Sequence, residues 1–416
     1  MNEPALQTRC KIANTGARRR PWLPWSLLLL GCHGGAAGGT SASEQQPSDA
    51  TPSDATRSDA AHAVSAHDAG QSIVVVRGDD AGGAQRAATM ADASVAGAGA
   101  HAASSDAALA GDPPVDAEVP EGTPALFYLD ALGGRVLSVG PDGKNVHAVV
   151  QNQRATPDGV AVDVRAGRVY WTNMGVPSGD DGTILSAKLD GSDLKTIVQS
   201  GGTFTPKQLT LDATHGQLYW SDREGMRVMR CDLDGQNIQT LVAIAEGDAA
   251  RGVDANWAVG IGLDLAGGYV YWTQKGADNA GQGSLRRAPI ALSSGEPANH
   301  RTDVEVLFQG LPEPIDLALD LTERKVYWTD RGDNTVSRAP LDLPAGATAM
   351  TRGDREILVR GLNEAIGISL DLRHGSLYYT DLGGTVGTAR LDGSGAKTLL
   401  TGQGSLTGIT YVELSR

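Results

Sequence analysis

One five-residue pattern, returning through the C-terminal part of the chain, limits the fold more than any other feature. It reads VYWTN at Val169–Asn173, LYWSD at Leu218–Asp222, VYWTQ at Val270–Gln274, VYWTD at Val326–Asp330 and LYYTD at Leu377–Asp381. A degenerate copy, LFYLD, opens the series at Leu126–Asp130. Five copies follow an alternating apolar run that ends in Asp163, Asp212, Asp264, Asp320 or Asp371. The step from that Asp to the motif Tyr is seven residues each time. So constant a step leaves room for one tight hairpin. After each motif come a Gly-rich loop and a third run, such as GTILSAKL or TVSRAPL. Asp-Gly at Asp142, Asp190, Asp234 and Asp392 then marks a turn, because Gly accepts the positive φ a tight turn needs, and a fourth run follows.

Four antiparallel strands recurring every 43 to 56 residues predict propeller blades. The chain ends supply the closure. TGITYVEL, Thr407–Leu414, reads as a first strand with no second strand after it, while the N-terminal copy has strands two to four and no first. Each completes the other. The fold predicted is all-β: a six-bladed propeller of four-stranded antiparallel blades, its open edges removed by pairing the two ends of the chain.

The pattern resembles the YWTD, or class B, β-propeller of the low-density-lipoprotein receptor family, over Ala125 to Arg416. The resemblance implies that the motif residues are structural. Tyr170, Tyr219, Tyr271, Tyr327 and Tyr378 would pack within and between blades, with Trp171, Trp220, Trp272 and Trp328 beside them. Asp222, Asp330 and Asp381 would fix the following turn by hydrogen bonds. Asn173 and Gln274 stand where the motif has Asp, and Tyr379 where it has Trp. The cysteine-rich modules that flank the animal propellers are missing, so a lipoprotein or signalling-ligand role does not carry over.

The remainder of the chain has a different texture. Residues 32–122 are rich in Ala, Ser, Asp and Gly with almost no aromatics, too little apolar surface to offset chain entropy. They read as a disordered tether, preceding a folded domain at 123–416. As a flexible coil, ninety residues would reach roughly 50 Å. Residues 1–31 read as a signal peptide of the lipoprotein type. Arg18, Arg19 and Arg20 precede an apolar run too short to span a bilayer, and Leu29-Leu30-Gly31-Cys32 resembles a bacterial lipobox, with Cys32 the lipidated residue. The expectation is a protein exported and lipid-anchored at a bacterial cell envelope, meeting the membrane through its anchor only. Of three cysteines, Cys231 is left without a partner, so no disulfide supports the domain. The formal charge is −14 with no basic block, which argues against nucleic acid. A monomer is expected.

Function is expected on the loops that join strands two and three and on those that join successive blades. Seven residues before each first-strand Asp stand Thr156, Thr205, Trp257, Glu313, Glu364 and, by extrapolation, Ser405. These would ring the mouth of the central channel. Three residues further along, Asp316 is a carboxylate among Gly159, Gln208, Gly260, Gly367 and Gly408. Trp257 with Glu313, Asp316 and Glu364 is a candidate patch for an unknown protein or extracytoplasmic ligand, since an indole offers large contact area. Asp180, Asp181 and Asp278 would extend its acidity, and Arg331 sits on the same face. The plainer reading is that these are solvated loop charges and that Trp257 packs on its own loop. No catalytic residue and no cofactor are assigned on either reading. The alternative function is a calcium-dependent, lactonase-like propeller hydrolase with Asp158, Asp316, Glu313 and Glu364 around a metal in the channel. Against it, His147, His215, His300 and His374 lie on separate blades with no nucleophile and base spaced as a pair. Three Arg-Gly-Asp tripeptides, at Arg77, Arg331 and Arg352, are expected from a Gly- and Asp-rich chain and carry little weight as adhesion signals.

Overall fold

The structure is a computed structural model. It describes residues 122–414 apart from 152–155, 177 and 294–295. The signal peptide, Cys32, the tether and the Arg-Gly-Asp at Arg77 lie outside the described residues.

Six four-stranded antiparallel sheets form the domain. Blade one pairs β24 (Leu406–Leu414) with β1 (Thr123–Asp130), which continues to β2 (Arg135–Val139) and β3 (His147–Val150). Leu414 lies opposite Thr123, and Tyr128 opposite Ile409. The two ends of the sequence thus share one blade, as the missing first strand required. Blades two to six occupy 157–198, 206–243, 258–311, 314–360 and 365–400. Each opens on an innermost strand: β4 (Pro157–Asp163), β8 (Pro206–Asp212), β12 (Ala258–Asp264), β16 (Pro314–Asp320) or β20 (Ala365–Asp371). With β24 these strands touch one another in a closed circle around the axis.

The motif explains why the blades stack. Its Tyr and Trp are consecutive residues of one strand, so they point to opposite faces of the blade. The Tyr side is buried with the Trp of the next blade. The pairs are Tyr170 with Trp220, Tyr219 with Trp272, Tyr271 with Trp328, and Tyr327 with Tyr379. Tyr378 meets Tyr128, and Phe127 meets Trp171, which carries the series through the degenerate first copy and back to its start. Six interfaces therefore repeat one side-chain pairing, and all four motif Trp are 0 or 1% exposed.

The motif Thr latches neighbouring blades. Thr172, Thr273, Thr329 and Thr380 accept the backbone N–H of Gly159, Gly260, Asp316 and Gly367 in their own innermost strand. The same hydroxyls donate to the next blade, at the carbonyls of Lys207, Ile315, Ile366 and Thr407. Ser221 reaches Gly260 likewise. Blade one has Leu129 at this place, and there the hydroxyl of Thr407 donates to the carbonyl of Pro157 instead.

The motif Asp secures loops, although not only the turn after it. Asp330 accepts N–H groups from Gly332 and Asp333 in the following turn and from Glu313 in the preceding loop. Asp381 likewise accepts from Thr385 and Asn363. Asp222 instead binds back to Phe204 and Thr205 and pairs with Arg227. Gln274, where the motif has Asp, sends its amide to the carbonyl of Ala255, 2.6 Å away, and so holds the long loop between blades three and four. Cys231 is buried and free; burial pushes its thiol up to about 12.

Candidate functional site

In every blade the residue just after the motif donates its N–H to the carbonyl of the residue seven before the first-strand Asp. The pairs are Met174 to Thr156, Arg223 to Thr205, Lys275 to Trp257, Arg331 to Glu313, Leu382 to Glu364 and Ala131 to Ser405. Two residues per blade are thereby set side by side where the innermost strand begins. The predicted ring gains a second member in each blade, and three consecutive members, Arg223, Lys275 and Arg331, are cations.

Two of them, Lys275 and Arg331, meet the predicted acids, while Arg223 pairs with Glu224 beside it. Glu313, 2% exposed, takes Lys275 Nζ at 2.6 Å and an Arg331 guanidinium nitrogen at 2.5 Å on one carboxylate oxygen. Both cations also reach Asp278, at 3.3 and 3.0 Å, and Arg331 lies 3.8 Å from Glu364. The acids around Arg331 raise its already high pKa further against the penalty of burial. Burial pushes the Asp278 carboxyl up, but Lys275 and Arg331 together pull it below the usual carboxylate range. The lattice bridges blades four, five and six with alternating charge, and Asp278, its side chain 80% exposed, is the member most open to solvent.

Trp257 borders this lattice but is not a free indole. Its loop, Glu246–Trp257, folds into a short helix α1 (Asp248–Arg251) and a 3₁₀ turn at Asp254–Asn256. The indole N–H donates to the carbonyl of Arg251 at 2.8 Å. The Arg223 guanidinium and the Lys275 ammonium lie 4.9 and 5.5 Å from the ring centre. The half-buried ring is thus a platform for cations, closer to the plainer reading of the sequence than to an exposed anchor. Asp180 and Asp181 do not join the patch. Asp181 accepts the N–H of Val176 within its own loop. Asp180 lines a separate groove of about 550 Å³ with Phe204, Arg227 and Arg251.

Below the mouth the channel divides in two. On blades four to six, Val259, Ile315 and Ile366 form an apolar cluster no more than 5% exposed. The equivalent positions on blades two and three carry Asp158 and Lys207, a buried ion pair in which Gln208 also donates to Asp158. Burial drives the Lys207 pKa down, and Asp158 opposes it. Asp316 lies in the wall, accepting N–H groups from Leu317 at 2.8 Å and Ile368 at 3.1 Å. Burial pushes its carboxyl up to about 8 against those two donors.

This arrangement does not fit the calcium set drawn from the sequence. Asp158 is committed to Lys207, Glu313 to Lys275 and Arg331, and Asp316 to two amides, while an apolar plug takes up half of the channel. A calcium ion needs six or more oxygens free to converge. Among the described residues, the one group of three His, Cys, Asp or Glu side chains close enough to share an ion is Asp371, His374 and Glu413, on the opposite face.

The two described Arg-Gly-Asp tripeptides have structural duties. Arg331 belongs to the lattice, and Asp333 pairs with Arg355. Arg352, its side chain 1% exposed, binds Asp354 and the carbonyls of Leu307 and Pro340. Arg301 makes the same bracket one blade earlier, to Asp303, Leu241 and Pro289.

Lys275, Arg223 and Lys207 are absent from the sequence-derived patch, which followed carboxylates and the indole. The signal that marks the first two is their register, directly after the motif.

Fold and loop mouth together define a six-bladed YWTD propeller with a closed channel and a charged rim. Over 294 residues the chain is 45% identical to the protein described as "Low-density lipoprotein receptor-related protein 1" of Pyricularia oryzae, a match spanning 67% of this chain and 92% of that protein. The chain belongs to that low-density-lipoprotein receptor-related family. The "3-hydroxyacyl-CoA dehydrogenase-like protein LAM1" of Cochliobolus heterostrophus is 36% identical over 291 residues, and the chain spans 61% of its length. The mouse "Low-density lipoprotein receptor-related protein 5" is 31% identical over 134 residues, 7% of its own length. No protein-family profile matches the chain. Among solved structures, a chain of a nidogen/laminin complex superposes with a TM-score of 0.55 at 22% identity, covering 70% of this chain and all of that one, a likeness of fold.

Proposed function

We propose that the protein is a non-catalytic binding module, lipid-anchored through Cys32 at a bacterial cell envelope, that holds a polypeptide partner on its loop face. The observation that carries this reading is the Lys275–Glu313–Arg331 lattice with Asp278 and Glu364. Three blades share it, so its charges are fixed in place before a partner arrives, which lowers the ordering cost of binding. Alternating charges beside a half-buried indole suit a chain that carries both signs of side chain, and complementary charge gives such a face its specificity. Glu313, the buried carboxylate at the centre of the lattice, already carries two cations, which supports recognition over general acid–base chemistry at that residue.

The test is site-specific photo-crosslinking of the full-length tethered protein in its own cells. A crosslinker at Asp278 should capture a defined partner, while one at Leu372, exposed on the opposite face, should not. Equal capture from both positions, or none at 278, would count against the loop face. Separately, Cys32→Ala should release the protein from membranes; unchanged membrane retention and an unmodified Cys32 would refute the anchor.

A further inference from the structure

We propose that Asp371, His374 and Glu413 bind one divalent transition-metal ion, Zn2+ by their chemistry, and that the ion clasps the closing strand to blade six. Asp371 ends β20 and His374 lies in the hairpin that follows it, whereas Glu413 belongs to β24, the strand that seals the ring. The three donor atoms lie within 4.8 Å of one another. His374 Nδ1 is 2.9 Å from Asp371 Oδ2 and 4.0 Å from Glu413 Oε1. Tetrahedral zinc with ligands at about 2.1 Å holds its donors roughly 3.4 Å apart, inside that spread.

The remaining contacts hold the three side chains in place around the point they share. Asp371 Oδ1 accepts the backbone N–H of His374, and both Asp371 oxygens face the imidazole, with Nδ1 2.9 Å from Oδ2 and 3.1 Å from Oδ1. Arg373 takes Glu413 Oε2 at 3.1 Å and leaves Oε1 facing His374. The Tyr411 hydroxyl donates to Glu413 Oε1 at 3.4 Å, a long contact that the ion would replace. A neutral imidazole protonated on Nε2 presents the Nδ1 lone pair to the ion, and one nitrogen with two carboxylate oxygens is a borderline donor set that suits zinc better than calcium. Blade three provides an internal control. Asp212 and His215 repeat the hairpin pair, with Nδ1 2.7 Å from Oδ2, but no third donor joins them among the described residues. The pair alone is a turn feature; Glu413 is what makes it a site.

The experiment uses untagged full-length protein stripped with chelator, titrated with Zn2+ by calorimetry and with Co2+ by visible absorption. One equivalent should be lost in Glu413→Gln and in His374→Ala and kept in His215→Ala. Zinc should raise the wild-type melting temperature by several degrees and leave Glu413→Gln unmoved. Glu413→Gln preserves size at a partly exposed position, so it carries the test if His374→Ala folds poorly. Wild-type binding by Glu413→Gln, equal loss in His215→Ala, or no site-dependent equivalent would overturn the proposal.

Discussion

Thr407 donates its hydroxyl to the carbonyl of Pro157, 2.9 Å away and 250 residues earlier in the chain. The other five blades reach forward with a Thr or Ser of the motif, and blade one, with Leu129 there, uses its innermost strand instead. Thr407→Val keeps the shape and removes the donor. It should lower unfolding stability by about 1–2 kcal/mol, the cost of leaving a buried carbonyl unpaired. Urea denaturation measures this, and an unchanged midpoint would show that the latch contributes nothing.

Glu313→Gln leaves Lys275 and Arg331 facing each other without their shared charge. The variant should lose about 1–3 kcal/mol, because two partly buried cations keep their desolvation cost and lose the compensating acid. Crosslinking from position 278 should fall with it. Stability loss with undiminished crosslinking would separate the lattice from recognition.

Arg352→Ala removes a buried guanidinium that brackets Asp354 and two carbonyls. The expected loss is about 3 kcal/mol, with Arg301→Ala close to it, since the two brackets are equivalent. Cell adhesion should not change. A stable Arg352→Ala protein that had lost adhesion would restore the tripeptide as a signal.

Asp316 sets a pH dependence whose sign follows from its raised pKa. The folded state keeps this proton up to about 8, and the unfolded chain releases it near 3.8. Between those values the native state holds more protons, so stability is greatest below that window and falls as pH rises through it. Asp330, pushed up to about 7 by burial and by Asp333, adds a slope of the same sign. Asp316→Asn should flatten the fall in urea midpoint between pH 5 and pH 8, and equal slopes in the two proteins would refute the assignment.

Blade number, strand order and ring closure were legible because Tyr-Trp-Thr-Asp and the seven-residue step depend only on local register. The face carrying the mouth was legible for the same reason. The lattice was not: Glu313 and Lys275 are 38 residues apart, and their meeting depends on how one blade leans on the next. The Thr latch was hidden inside a motif whose aromatic pair drew the attention. The partners of the calcium set were not legible either, because equal steps along innermost strands place carboxylates near one channel without saying which already have a cation beside them. Gln274 shows the opposite case: its departure from Asp marked, in the sequence, a residue that holds the Trp257 loop.

The facing of Leu414 and Thr123 across blade one also settles where the chain arrives and leaves. Both ends open on the side of the hairpins that join first and second strands, away from the rim formed by Lys275, Glu313 and Arg331. The same adjacency means that a short peptide joining 414 to 123 would make an endless ring, which could be cut at the Asp392-Gly393 turn so that the third and fourth strands of blade six, in place of the first two of blade one, pair the new chain ends.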